Sequence, residues 1–207
     1  MLIFDIGAND GKYAIANSDN NKIISVEAST ITYNLLLETV KERENIIPIN
    51  YAVTSDNIEY ATFYHCIVGN TISSMDYEWL SNDKSRFGNY KNSLQVIRVP
   101  TITIDKLVEI YGKPDIIKID VEGYEDNVIK SLNQKIDTLC FEWAAEWRDK
   151  YIDAIDHLVS LGYSQFHIQN GDDYLYRPDK YTLNSQETKE HLIKSIDKVD
   201  WGMIWCI

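Results

Sequence analysis

The sequence predicts an α/β protein built on an open, mostly parallel sheet, and three observations lead there. Short β-branched or apolar runs alternate with stretches of helical periodicity along most of the chain. The first run, residues 2–6, stops in a turn of small residues, Gly7, Ala8, Asn9 and Gly11, several of which tolerate positive φ. Acids also recur at strand ends: Asp5 with that turn, Glu27 after the second run and Asp120 later. In a parallel sheet such ends meet at the carboxyl edge, where ligands bind against bare backbone.

The elements follow in order. A short helix is expected over residues 12–17, then a strand over 23–26 ending at Glu27. Ser29 or Thr30 caps the next helix, which places Leu36, Leu37 and Val40 on one face. Residues 45–53 read as a third strand, and Pro48, lacking a backbone donor, marks it as an edge. Residues 57–104 depart from the alternation and read as an insertion without a core of its own. It has extended pieces near 59–67 and 94–104 and a polar loop or lid at 81–93. Asp105 caps a helix closed by Gly112. A strand follows at 115–121, then a helix presenting Val128, Ile129 and Leu132, and a strand at 138–141 ending in Glu142. The helix at 148–161 presents Ile152, Ile155, Leu158 and Val159 and stops at Gly162. A strand at 164–168, a helix at 186–195 and a buried apolar strand at 201–207 complete the chain.

Composition bounds the function. The 207 residues suit a single domain, 1–207, and the net charge of −12 with no basic stripe argues against nucleic acid as a partner. A neutral small molecule, sugar or protein side chain fits better. Cys66, Cys140 and Cys206 form no C-x-x-C pair and read as buried thiols of a reducing compartment. No apolar run approaches the roughly 20 residues of a membrane span, so a cytoplasmic protein is expected. The chain opens on its key strand, which leaves open that it is one domain of a larger protein.

Glu27 is placed to accept both hydroxyls of a ribose, the alternative being a solvated acid favouring the next helix's N-terminus. Ala52 and Val53 suit either an adenine face or plain core. Asp120 and Glu142, on neighbouring strands, offer hard oxygen ligands for Mg or Mn, or else form an acidic rim. Asp120, Glu122, Glu142, Glu146 and His167 are the candidate bases, His167 because the adjoining polar segment 169–173 is expected to border the pocket. His65, His157 and His191 read as structural. Tyr77, Trp79, Phe87, Tyr90, Trp143 and Trp147 suit sugar stacking or core packing. The G-x-N-x-G turn is not the G-x-G-x-x-G of dinucleotide folds, which disfavours a nicotinamide-dependent oxidoreductase.

Five runs fall in a familiar order: residues 4–11, 26–28, 52–55, 99–105 and 117–125, the last the sharpest. Together they resemble the FkbM-type family of S-adenosylmethionine-dependent methyltransferases from residue 2 to about 162. The resemblance implies a class I methyltransferase, Rossmann-like sheet of seven strands, order 3-2-1-4-5-7-6, last strand antiparallel, with helices on both faces. It implies S-adenosyl-L-methionine as cofactor, with Asp5, Gly7, Ala8, Asn9 and Gly11 at its methionine portion. Glu27 and Ala28 would lie at the ribose, Ala52 and Val53 at the adenine, and Asp120 beside the reacting centre, where Glu122 and Glu142 are the further catalytic candidates, as bases. O-methylation of a sugar hydroxyl on a glycan or glycosylated small molecule is the implied reaction, a non-catalytic nucleotide-binding module the alternative. Ala28 stands where the family often has proline, and the short first helix is expected to leave the pocket more open on that side.

Overall fold

A computed structural model describes residues 1–195 and 200–207. The elements run β1 (Leu2–Ile6), α1 (Lys12–Asn17), β2 (Lys22–Val26), α2 (Thr30–Val40), β3 (Ile46–Ile49), β4 (Ala52–Val53) and β5 (Tyr60–Cys66). Then come α3 (Tyr77–Ser81), β6 (Leu94–Ile102), α4 (Ile104–Tyr111), β7 (Ile116–Ile119) and α5 (Glu125–Lys130). β8 (Thr138–Ala144), α6 (Arg148–Ser160), β9 (Phe166–Asn170), α7 (Ser185–Lys194) and β10 (Trp201–Cys206) finish the chain.

Seven strands form the main sheet in the order β3-β2-β1-β7-β8-β10-β9, with β10 antiparallel to both neighbours. Numbered along the chain within that sheet, the order is the expected 3-2-1-4-5-7-6, and the fold is that of a class I methyltransferase. β1 and β7 lie at its centre and are almost wholly buried, as strands covered on both faces must be. Phe4, Ile6, Ile117 and Ile119 pack with Leu132, Phe141, Ile155 and Leu158 in the larger core; Ile3, Ile23, Leu36 and Val40 belong to a second core. Pro48 lies in the edge strand β3, where its missing N–H breaks no ladder on the outer side.

Several expectations are corrected. The third strand is two pieces: β3 stays in the main sheet, while β4 joins β6 and β5 in a separate three-stranded sheet. Asn50 makes the break, its side-chain amide donating to the Glu27 and Ala28 carbonyls at 2.8 and 2.9 Å. The small sheet has a modest apolar cluster, Ala52, Ala61, Phe63 and Val99. Within 81–93, residues 82–87 form turns and Gly88–Ser93 a 3₁₀ helix, and Phe87 packs edge-on against buried Trp79 of α3. Thr103, not Asp105, caps α4, accepting from Lys106 N at 3.1 Å; Asp105 instead receives the Asn133 backbone N–H and side-chain amide. Leu37 and Val159 face solvent, and Tyr151 and Ala154 fill the core side of α6.

Candidate active site

The cleft forms where β1, β2 and β7 end together. Gly7 and Ala8 donate their N–H groups to Val26 O at 2.9 and 3.0 Å, folding the turn over the end of β2. Gly7 has φ +80°, and a Cβ there would come within 1.7 Å of the Asp120 carbonyl oxygen, so only glycine fits. Asn9 also takes positive φ, 47°. The turn wraps one carboxylate: Glu27 Oε2 accepts from Asn9 N and Oε1 from Ser29 N, both at 2.9 Å. Glu27 is only 7% exposed, which removes the solvated-acid alternative. Burial pushes its carboxyl up to about 7 against the pull of those two N–H donors.

A second part of the lining, adjoining the turn where Gly7 packs against the Asp120 backbone, carries three acids. One oxygen each of Asp120, Glu122 and Glu142 lie within 4.8 Å of one another. Burial, and then the charge of Asp120, holds Glu122 and Glu142 well above the ordinary carboxylate range. Glu122 sits at φ 58° and accepts from Trp79 Nε1 at 3.3 Å, so α3 of the insertion braces the acid. The loop that carries Asp120 and Glu122 is held by Glu125, fully buried at the start of α5. Glu125 Oε1 accepts from Val121 N at 2.9 Å and Gly123 N at 3.3 Å, and Oε2 from the Tyr151 hydroxyl at 3.3 Å.

A cavity of about 250 Å³ joins these two parts. Of the sequence-predicted residues it brings together Gly7, Asn9, Glu27, Ala28, Val53, Asp120, Glu122 and Glu142. Others stand behind it. Asp5 is fully buried with Lys118 Nζ at 3.3 Å. Ala8 packs in the core beneath the turn, Gly11 faces Leu36 and Val40 of α2, and Ala52 belongs to the small-sheet cluster. Glu146 is committed to a two-pronged pair with Arg86, at 2.7 and 2.8 Å. His167 Nε2 is engaged by the Tyr176 hydroxyl at 2.6 Å. His65 pairs with Ser29 Oγ through Nδ1 at 3.0 Å, His157 Nε2 lies 2.9 Å from Leu132 O, and His191 packs on Trp143, as structural histidines do. None of the six aromatics singled out is among the described lining residues, and neither is any residue of 81–93.

The lining has members that sequence reasoning passed over: Phe63, Thr71 and Ser73 from the insertion, and Tyr174 and Trp201 from the C-terminal part. It also includes Asp172, of the polar segment 169–173 expected at its border. The polar segment after β9 was the available signal for Asp172. That segment also corrects the idea of a cleft left open by short α1. Tyr174 packs edge-on against Tyr13 with ring centroids 6.2 Å apart, and Asn17 donates to its carbonyl at 3.0 Å. Arg177 then ties the segment to Asn17 Oδ1 at 2.6 Å.

Strand order, reversed last strand and cleft position together define the class I S-adenosylmethionine-dependent methyltransferase fold. Residues 5–165 match the methyltransferase FkbM domain, and the chain belongs to that family. The hexuronic acid methyltransferase AglP of Haloferax volcanii is 26% identical over 144 residues, 68% of this chain and 53% of AglP. The chain thus spans about half the length of this curated relative. Among solved structures, WbdD superposes with a TM-score of 0.50 at 8% identity, over 99% of this chain and 35% of that one, a likeness of fold alone. Fibrillarin of Aeropyrum pernix, solved with bound S-adenosyl-L-methionine, gives 0.48 at 14% identity, over 100% and 65% of the two chains. Among the described residues no helix is long and apolar enough to cross a membrane.

Proposed function

We propose that the domain transfers the methyl group of S-adenosyl-L-methionine to a hydroxyl of a sugar, on a glycan or a glycosylated small molecule. The observation that carries this reading is one cavity lined together by a glycine turn, by Glu27 and by three crowded acids. Glu27 takes the ribose hydroxyls, Gly7 and Asn9 lie along the methionine portion, and Ala28 and Val53 approach the adenine. The sulfonium methyl is already activated, so the protein's task is to align it with the acceptor oxygen. The acceptor must also lose a proton. Glu142 or Glu122, each with a raised proton affinity, is suited to receive it.

The same three oxygens make a hard, all-oxygen donor set that suits Mg or Mn, which when bound would lower the acceptor hydroxyl's pKa. Charge bears on the acceptor as well. Glu27, Asp120, Glu122, Glu142 and Asp172 line the cleft, with no lysine or arginine among the described lining residues. Such a wall favours a hydroxyl donor over an anionic acceptor and disfavours nucleic acid. Residues 57–104 are read as an insertion in a single domain, supplying Phe63, Thr71 and Ser73 to the wall.

Calorimetry with S-adenosyl-L-methionine, then methyl transfer to a panel of neutral sugars and uronic acids, tests the reading. Binding with transfer to none would favour the non-catalytic module; no binding would remove both. Activity unchanged after dialysis against a chelator would remove the metal. Asp120→Asn is expected to lower turnover more than cofactor affinity, and wild-type turnover would sink its role at the reacting centre.

A further inference from the structure

Lys118 is a buried cation that the reaction scheme above does not use. It lies on β7 beside Asp5 of β1 and is itself buried. Its ammonium donates to the Gly7 carbonyl at 3.1 Å and forms ion pairs with Asp5 Oδ1 and Asp120 Oδ2, each at 3.3 Å. The Tyr13 ring stands 5.5 Å away on another side. Burial works against this cation, but Asp120 and Asp5 outweigh it and hold the pKa above the ordinary lysine range.

A structural pair would need only one of these contacts. Asp5 is completely buried, and a lysine beside it offsets part of the cost of an internal charge, burial still holding its carboxyl above the ordinary range. Asp5 alone explains neither the second carboxylate nor the carbonyl. Both of those oxygens belong to residues that line the cleft, Gly7 from the β1 turn and Asp120 from the end of β7, whereas neither Lys118 nor Asp5 is in that lining. Asp120 also faces Glu122 and Glu142, and repulsion from them would turn an untethered carboxylate away.

From this geometry we propose that Lys118 is a positioning residue: from behind the wall it fixes the Gly7 turn and Asp120 together, in the arrangement that receives the methionine end of S-adenosyl-L-methionine. The proposal rests on the cofactor reading of the cleft. Three variants, followed by thermal unfolding and by calorimetric titration with S-adenosyl-L-methionine, test it. Lys118→Met strands the Asp5 charge and lowers both stability and affinity. Asp5→Asn with Lys118→Met removes the internal pair as a unit. It is expected to regain the stability lost by the single variant, yet to bind the cofactor at least tenfold more weakly than wild type.

Lys118→Arg keeps the charge and leaves Asp5 intact. A planar guanidinium cannot present one compact charge to three converging oxygens, so affinity again falls about tenfold while the fold holds. Either variant, if folded and binding within twofold of wild type, overturns the proposal. Should the double variant fail to fold, the arginine variant decides alone. A wild-type protein that does not bind S-adenosyl-L-methionine overturns the cofactor reading and this inference with it, a result seen before any variant is made.

Discussion

Two parts of the cleft lining, the surroundings of Glu27 and the acid cluster at Asp120, are built by opposite means. At Glu27 one carboxylate is surrounded by backbone, with an N–H on each oxygen at 2.9 Å. At Asp120 three carboxylates crowd one another, and their support comes from side chains, Lys118 of β7 on Asp120 and Trp79 of α3 on Glu122. A group held by backbone depends on chain conformation and tolerates little change in the turn itself. A crowded cluster depends on those side chains and retains repulsion that an incoming hydroxyl donor or cation would relieve. The first part is therefore suited to hold a constant ligand, the second to act on a variable one.

Substitutions can break this contrast, and the largest effect is expected at the turn. Gly7→Ala forces a Cβ against the Asp120 carbonyl, at a φ few side chains adopt. A loss of about 3 kcal/mol or more, or failure to fold, is expected in thermal or urea unfolding. An alanine variant of wild-type stability would show that the turn can move away from β7. Glu27→Ala comes next. Losing a bidentate charged contact should weaken S-adenosyl-L-methionine binding by about 2 kcal/mol, read by calorimetry. Unchanged affinity would remove Glu27 from the ribose.

The pH dependence follows from the same residue. Burial raises the Glu27 pKa from 4.5 to about 7, so the folded protein keeps this proton longer than the unfolded chain does. Its contribution to stability accordingly falls as pH rises from about 4.5 to 7. If Glu27 takes the ribose as proposed, the hydroxyls donate to its ionised form, so cofactor binding below pH 7 must expel the proton. Affinity should drop by up to tenfold per pH unit below about 7 and level off above it. Calorimetry in two buffers of different ionisation enthalpy would report proton release at pH 6, and none would contradict the assignment.

An effect of similar size, but on stability and not on affinity, is expected at Arg86→Ala. It leaves the Glu146 carboxylate, whose side chain is only 1% exposed, without its guanidinium. A loss of about 2 kcal/mol in unfolding is expected, with cofactor affinity kept, because the pair supports the insertion and not the surroundings of Glu27. Weakened cofactor binding in this variant would mean the two parts are coupled.

What could be read from the sequence was what local pattern controls. Buried runs of β-branched residues marked the main strands, Pro48 marked the edge, and Glu27 stood out as an acid closing a strand. The misreadings have physical causes. Asn50 ends β3 through bonds to residues 22 and 23 positions away, which periodicity cannot register. Glu146 and His167 looked free because their partners, Arg86 and Tyr176, lie on other elements. Lys118 lay in the sharpest motif, yet its work depends on Asp5 and Gly7, which only the pairing of β1 with β7 brings near. Asp172 and Tyr174 reach the cleft from beyond β9, and nothing in their own segment shows which wall they close.

The clamp on Glu27 has a consequence for the timing of a reaction cycle. The cleft holds the carboxylate in place before any ligand arrives, so little ordering remains to oppose binding of an adenosine group. The demethylated product carries the same adenosine and would meet the same preformed grip. On this reading the product leaves slowly and competes with the next donor. Turnover in the cell would then follow how quickly that product is removed as much as how quickly methyl groups move.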